Sequence, residues 1–284
     1  MHALGLAMAL YAGSILNLRA ILWGQIAITA TQLMTHYAND YFDLRADDAN
    51  YTPTNWSGGS RMLVQGRLHP RTALFSALIF AGLAFTAILV LSLVIRPGIG
   101  TFLLLFTALA LAWFYSAPPL RLHSLGLGEL TTAIVVTLLT PLTGYSLQTG
   151  RIDLLPLLAI MPLCCFQFAM LLAIEFPDAE GDRQVGKRTL VVRLGAVNAV
   201  RLYSSVLLLA YALLPLFVLS GLPVGVALSI AGLSPLTGLL LWRVARGDWH
   251  APTRWNSFGF YTIVLLMTSA MAELGAFILL IGTI

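Results

Sequence analysis

The chain reads as an all-α, polytopic membrane helical bundle, on three observations. Apolar residues fill 58% of its 284 positions and charged residues only 10%, against about 25% charged in a soluble domain. Mean hydropathy is +0.86, so too few charges remain to solvate a globular surface, and a disordered chain is excluded. The apolar residues also gather into runs of about 20, the length a helical span needs.

These runs lie at 18–38, 72–95, 99–117, 126–147, 154–174, 200–220, 223–242 and 258–281. A further run, 1–13, is too short to cross a bilayer as a helix and lacks the basic start of a signal peptide. It is read as the second half of a first span, its first half lost to a start codon placed late or to truncation. The expectation is nine transmembrane helices, the first truncated, in one domain over 1–284. Backbone groups in such helices are satisfied internally, which is why a bundle is expected. Cys164 and Cys165 are adjacent in an apolar run, so a disulfide framework is excluded and both read as packed side chains. The net charge of +4 does not point to nucleic acid, because no basic run exceeds two residues.

Lysine and arginine set the sidedness. Arg45, Arg61, Arg67, Arg71, Arg121, Arg183, Lys187, Arg188, Arg193, Arg201, Arg243, Arg246 and Arg254 follow even-numbered helices; only Arg19, Arg96 and Arg151 lie on the other side. The loops at 39–71, 116–125, 175–199 and 243–257 are therefore expected in the cytoplasm and Ile284 outside. Trp113, Trp249 and Trp255 fit an interfacial aromatic belt.

Eight of the twelve Asp and Glu fall in two stretches, Asp40 to Asp48 and Glu175 to Asp182, each continuing from the cytoplasmic end of an apolar helix. Helical residues three and four apart share a face. Asp40, Asp43 and Asp47 therefore form one carboxylate stripe, with Asn39 one i, i+4 step from Asp43. Glu175, Asp178 and Asp182 repeat the spacing, although Pro177 and Gly181 distort that segment. Two facing acidic stripes repel, and charge near the bilayer is expensive. Oxygen ligands with this spacing suit Mg²⁺, which keeps several waters and binds through a few carboxylates plus substrate phosphates. The pattern points to a diphosphate bridged to protein by Mg²⁺. Arginine matches phosphate as a fork and lysine as a point charge. Basic residues follow each stripe: Arg61 and Arg67 after the first, Arg183, Lys187, Arg188 and Arg193 after the second. Ser57-Gly58-Gly59-Ser60 lacks the length and lysine of a P-loop and reads as a hinge in a covering loop.

N-D-Y-F-D-L-R-A-D at 39–47 resembles the first acidic motif of the UbiA superfamily of intramembrane prenyltransferases. E-F-P-D-A-E-G-D-R-Q-V-G-K-R-T-L-V-V-R-L-G at 175–195 is similar to the second motif and its trailing segment. W-F-Y-S-A-P-P-L-R-L at 113–122 and G-L-G-E at 126–129 resemble the central cytoplasmic segment. The 1,4-dihydroxy-2-naphthoate polyprenyltransferase branch is the most similar, although Glu175 stands where many members carry Asp or Asn.

The resemblance implies nine helices around a cavity open laterally to lipid. It implies Mg²⁺-dependent transfer of a polyprenyl group from its diphosphate to an aromatic acceptor, with the naphthoate losing its carboxylate as CO₂ in menaquinone synthesis. On this reading Asn39, Asp43, Asp178 and Asp182 are the main metal and water-shell contacts, with Asp40 and Asp47 in support. Arg61, Arg67, Arg121 and Lys187 meet the diphosphate, and Asp43, Asp178 and Tyr115 are the catalytic candidates. The expected setting is a bacterial or archaeal cell membrane, with the active site facing the cytoplasm. 4-Hydroxybenzoate, homogentisate, a porphyrin or a glyceryl phosphate remain alternative acceptors. A cation transporter is the competing class, but transporters place ion sites near the midplane on broken helices, whereas these acids lie at helix ends on one side. His36, one turn before the first motif, reads as a packed or hydrogen-bonded histidine, with a catalytic base as the sharper alternative. His123 and His250 read as loop residues, and Glu273, inside the last span, as a partner in an interhelical hydrogen bond.

Overall fold

Nine longer helices form among the described residues, 1–282, of this computed structural model. In chain order they are α1 His2–Tyr11, α2 Leu18–Ala49, α3 Pro70–Ile95, α4 Ile99–Phe114, α5 Gly128–Thr149, α6 Leu154–Ile174, α7 Ala196–Leu219, α8 Val224–Ala245 and α9 Pro252–Ile281. Short helices at Ala179–Gln184 and Leu190–Leu194 follow α6, and no strand occurs among these residues. Ile284, expected outside the membrane, lies outside the described residues. Six helices, α3 and α5 to α9, are long and apolar enough to cross a membrane. α1 and α4 are apolar but shorter. α2 is long yet falls outside the six, because Gln25, Thr29, Thr31, Gln32 and Thr35 interrupt its apolar half.

Local chemistry sets the helix boundaries. The Asn17 side chain accepts from Ala20 N–H at 3.2 Å and caps α2. Pro70 and Pro252 occupy first helical positions, where a missing N–H costs nothing. Widened π turns interrupt α3 at Leu91–Ile95 and α5 at Ala133–Leu139.

Small residues let the helices approach closely, the usual solution where lipid removes any hydrophobic drive between helices. Ala20, Ala27 and Ala30 of α2 are sealed in one core with Ala84 and Ala87 of α3. At the crossing of α1 and α5, a Cβ on Gly5 would lie 2.1 Å from the Pro141 carbonyl oxygen, and one on Gly144 would lie 2.6 Å from that of His2. Neither glycine can grow a side chain without parting the helices. A second core joins α1, α6, α7 and α9 through Met8, Phe166, Tyr203, Phe258 and Phe277. Large apolar side chains such as Leu78, Ile79, Leu93, Leu208, Leu228 and Leu279 remain exposed on the outside, as a lipid-facing surface requires.

The loops sort to two ends as the charge count predicts. At one end Asn50 meets Asp178, Asn55 meets Asn256 and Arg188 N–H reaches the Ser124 carbonyl. At the other, Arg96 donates to the Leu147 carbonyl at 2.7 Å and to that of Gln148, while Gln148 Oε1 accepts from Asn17 N–H. Both acidic stretches lie at the first end.

Candidate active site

A cavity of about 1,090 Å³ opens at that end. α2 supplies its first acidic wall. The helix runs unbroken through the first motif to Ala49, so Asn39, Asp40, Asp43 and Asp47 do share a face. The second stretch is different. α6 stops at Ile174, the chain turns through 175–178, and Ala179–Gln184 restarts the helix. Pro177 lies in that turn; Gly181, expected to distort the segment as well, sits inside the restarted helix, where a Cβ would lie 3.1 Å from the Ala49 carbonyl oxygen. That close approach presses the second segment onto the end of α2.

Asp43 is the hub of the site. It is only 4% exposed and accepts three bonds: from His123 Nε2 at 2.8 Å, Asn39 Nδ2 at 2.8 Å and Lys187 Nζ at 3.1 Å. Asn39 donates again to Ser116 Oγ at 2.9 Å. Burial opposes ionisation of Asp43, but Lys187 and His123 outweigh it and hold the carboxyl well below the usual range. Lys187 also reaches Asp182 Oδ1 at 3.4 Å. One ammonium thus joins the two acidic stretches. Burial disfavours its charge, yet Asp43 and Asp182 raise its pKa above the ordinary lysine value.

Asp178 is tied to the covering loop: its Oδ1 accepts from Asn50 Nδ2 at 2.6 Å and its Oδ2 from Gly58 N–H at 3.2 Å. Asp40 accepts from Ser60 N–H and Oγ. Gly58 and Gly59 hold φ of +80° and +67°, the left-handed region that favours glycine. A Cβ on Gly59 would lie 2.1 Å from Asp47 Oδ2, so the loop backbone lies directly on that carboxylate. Burial, reinforced by neighbouring carboxylates, pushes Asp47 and Asp178 up to about 7 and also raises Asp182. For each of the three the Lys187 ammonium offsets only part of this.

The donor set fits Mg²⁺. Every side chain facing the gap offers oxygen apart from Lys187, and Asp182 Oδ2 and Glu175 Oε2 are buried without a partner. Among the described residues no three His, Cys, Asp or Glu stand close enough to enclose an ion by themselves. An ion here must complete its shell with water or phosphate oxygens, which is the habit of Mg²⁺.

The remaining expectations divide. Tyr115 lines the cavity, and its ring stacks on His123 with centroids 5.1 Å apart. Arg61 turns its guanidinium to the Asp47 carbonyl. Arg67 and Arg121 are exposed and do not line the cavity. His123, expected in a loop, is buried in a helical turn: its Nε2 donates to Asp43, and its Nδ1 meets the Tyr115 carbonyl. Glu129, to which the sequence assigns no role, is buried beside Glu175; burial and that neighbour push the Glu175 carboxyl up. Glu273 is fully buried, but neither of its oxygens has the interhelical hydrogen bond expected of it.

The profile of the UbiA prenyltransferase family matches residues 2–280. The chain belongs to that family. It is 26% identical over 182 residues to the 1,4-dihydroxy-2-naphthoate octaprenyltransferase of Bacillus subtilis, covering 63% of this chain and 56% of the relative. It is 32% identical over 164 residues to the digeranylgeranylglyceryl phosphate synthase of Pyrococcus furiosus, covering 57% and 52%. The chain thus spans a little over half the length of these relatives. In fold it is similar to a UbiA homolog from Archaeoglobus fulgidus solved with GPP and Mg²⁺, with a TM-score of 0.62, 16% identity and coverage of 95% and 94%.

Proposed function

We propose that this protein transfers a polyprenyl group from a polyprenyl diphosphate to an aromatic acceptor, at the cytoplasmic face of a bacterial or archaeal membrane. The acceptor assigned is 1,4-dihydroxy-2-naphthoate, in menaquinone synthesis. The observation that carries the reading is Lys187, which binds Asp43 and Asp182 at once and so sets both acidic stretches around one gap at the cavity mouth. The naphthoate relative and the homolog solved with GPP and Mg²⁺ support it.

Asn39, Asp40, Asp47, Asp178 and Asp182 would hold Mg²⁺ and its waters, and Asp43 fixes Asn39 and Lys187 beside them. Bound Mg²⁺ supplies electrostatic stabilisation of the departing diphosphate, commonly the dominant source of rate enhancement in reactions that develop charge. Lys187 is placed to add a point charge to the same leaving group; Arg61, Arg67 and Arg121, expected beside it, do not line the cavity and are given no part in holding the diphosphate. Tyr115, held by its stack on His123, presents its ring to the allylic carbon, where positive charge develops. The loop at 57–60 covers the gap and keeps out water that would hydrolyse the allylic cation. Below it the walls from α3, α4 and α5 bring Ile88, Leu105, Ala108, Val135, Val136 and Leu139, an apolar medium for the chain.

A glyceryl phosphate acceptor fits less well. It would bring another phosphate, yet Lys187 is the only Lys or Arg among the described residues lining the cavity, and two carboxylates already share it.

Purified protein with a polyprenyl diphosphate, Mg²⁺ and a panel of acceptors is the test. Mass spectrometry should find the prenylated, decarboxylated naphthol. Turnover of another acceptor alone would overturn the naphthoate assignment, and no turnover of any acceptor would overturn the activity.

A further inference from the structure

Below the acidic motif the α2 wall stays polar where a prenyl chain has no use for polarity. Gln25, Gln32, His36, Asn39 and Asp43 follow one another at steps of seven, four, three and four, and all line the cavity. Polar side chains inside a membrane are expensive and ordinarily find partners. Thr35 bonds to its own helix at the Thr31 carbonyl, and Gln25 pairs with His2 and Thr29. Gln32 and His36 do neither: both are exposed to the cavity, and neither side chain makes a hydrogen bond among the described residues. The adjoining walls of α3 and α4, packed against α2, are apolar at Ile88, Leu105 and Ala108. The polar stripe of α2 and the apolar walls beside it are thus suited to different molecules, a polar ring on the one and the chain on the other.

Depth narrows the role. His36 is one helical turn, about 5.4 Å, below Asn39 and Asp40. The allylic carbon is bonded to the diphosphate through a single oxygen, so a ring attacking it comes to rest within that turn.

We propose that His36 is the acceptor-side base, taking the proton of a ring hydroxyl, while Gln32 hydrogen-bonds the same ring one turn deeper. This rests on the transferase reading above and adds the acceptor class: an aromatic ring bearing a free hydroxyl next to the attacked carbon. The hydroxyl proton passes to the imidazole, and the O–H pair becomes the π bond of a carbonyl. Ring electrons form the new C–C bond as the C–O bond to diphosphate breaks, the pair leaving with diphosphate. The carboxylate on the newly tetrahedral carbon is then β to that carbonyl. It leaves as CO₂, its bonding pair passes through the ring to the carbonyl oxygen, and that oxygen takes the proton back from the imidazolium. Imidazole is restored and no further reactant is needed.

The test compares wild type with His36→Gln and His36→Asn on two acceptors, 1,4-dihydroxy-2-naphthoate and its methyl ether at the hydroxyl beside the carboxylate. General-base assistance contributes roughly 10²-fold or more. Wild type should lose about that factor on the ether. Both variants should lose about that factor in kcat on the free hydroxyl, and should no longer distinguish the two acceptors by more than about threefold. Their KM for the prenyl diphosphate should stay within about twofold of wild type, which also reports an intact fold. Variants that keep wild-type kcat, or that slow yet still favour the free hydroxyl over the ether by the full factor, overturn the inference while leaving the transferase reading standing. A wild-type protein that prenylates no aromatic acceptor overturns both.

Discussion

Lys187→Met isolates the contact that joins the two acidic stretches. Methionine keeps the unbranched stem and removes the charge. In the wild-type protein the ammonium is 3.1 Å from Asp43 and 3.4 Å from Asp182, and the lysine side chain is only 14% exposed. Removing it leaves two buried carboxylates without their shared counter-charge. Breaking a buried pair on one side costs about 3–5 kcal/mol. His123 still donates to Asp43, so the lower end of that range, about 3 kcal/mol, is expected. At about 2 °C per kcal/mol for a chain of this size, the apparent melting temperature in detergent should fall by roughly 6 °C. The same gap should then respond more strongly to metal, because Mg²⁺ supplies the missing charge. Thermal unfolding of both proteins with EDTA and with Mg²⁺ measures both effects. A variant that melts with the wild type in EDTA, or gains no more than it from Mg²⁺, would refute the assignment of Lys187 as the bridge.

Three further outcomes are expected. Asp47 and Asp178 sit at about 7 in the metal-free protein, above the ordinary aspartate value, so both still hold protons near neutrality. Mg²⁺ binds the ionised form, so binding should release protons and tighten as pH rises from 6 to 8; calorimetry in buffers of different ionisation heat reads the protons, and release independent of pH would contradict it. The same raised values favour the metal-free fold at low pH and are lost as stability when pH rises through 7. Gly59→Ala puts a Cβ onto Asp47 Oδ2 at a φ of +67°, a backbone cost of roughly 1–2 kcal/mol before the clash. Mg²⁺-dependent binding of prenyl diphosphate should weaken about tenfold or more, since 1.4 kcal/mol is a factor of ten, and unaltered affinity would show that the loop does not shape the site. Trp56 pins the covering loop to α9 by donating from Nε1 to the Asn256 carbonyl at 3.0 Å and packing on Phe260. Trp56→Ala should admit water, seen as free prenyl alcohol rising relative to prenylated product; an unchanged ratio would relieve the loop of that role.

How much of the molecule is legible in the sequence depends on the range of each interaction. Apolar run length places every helix but α2 to within about six residues, because a span is a local property of composition; α2 runs on to Ala49, eleven residues past its apolar run, through the polar first motif. The i, i+3, i+7 spacing puts Asp40, Asp43 and Asp47 on one face for the same reason. The role of His123 is not legible, since its partner Asp43 is 80 residues away; the only signal is its place directly after the Y-S-A-P-P-L-R-L segment. Lys187 reads as a diphosphate contact alone, because no spacing rule shows a lysine that first bridges the carboxylates of its own chain. The 18–38 run reads as an ordinary span; the polar residues that keep α2 out of the apolar spans acquire a reason only when Gln32 and His36 are seen facing a cavity. Glu273 stays opaque at both levels: the fold buries it completely and gives its oxygens no partner.

A crystal structure with a non-hydrolysable prenyl diphosphate analogue and Mn²⁺ in place of Mg²⁺ tests the account at its centre. Anomalous density should fall between the two acidic stretches, with carboxylate oxygens from both α2 and the 175–182 segment, directly or through one water, around an ion that also touches the diphosphate at about 2.1 Å. An ion held by only one stretch, or a diphosphate seated away from both, would contradict it.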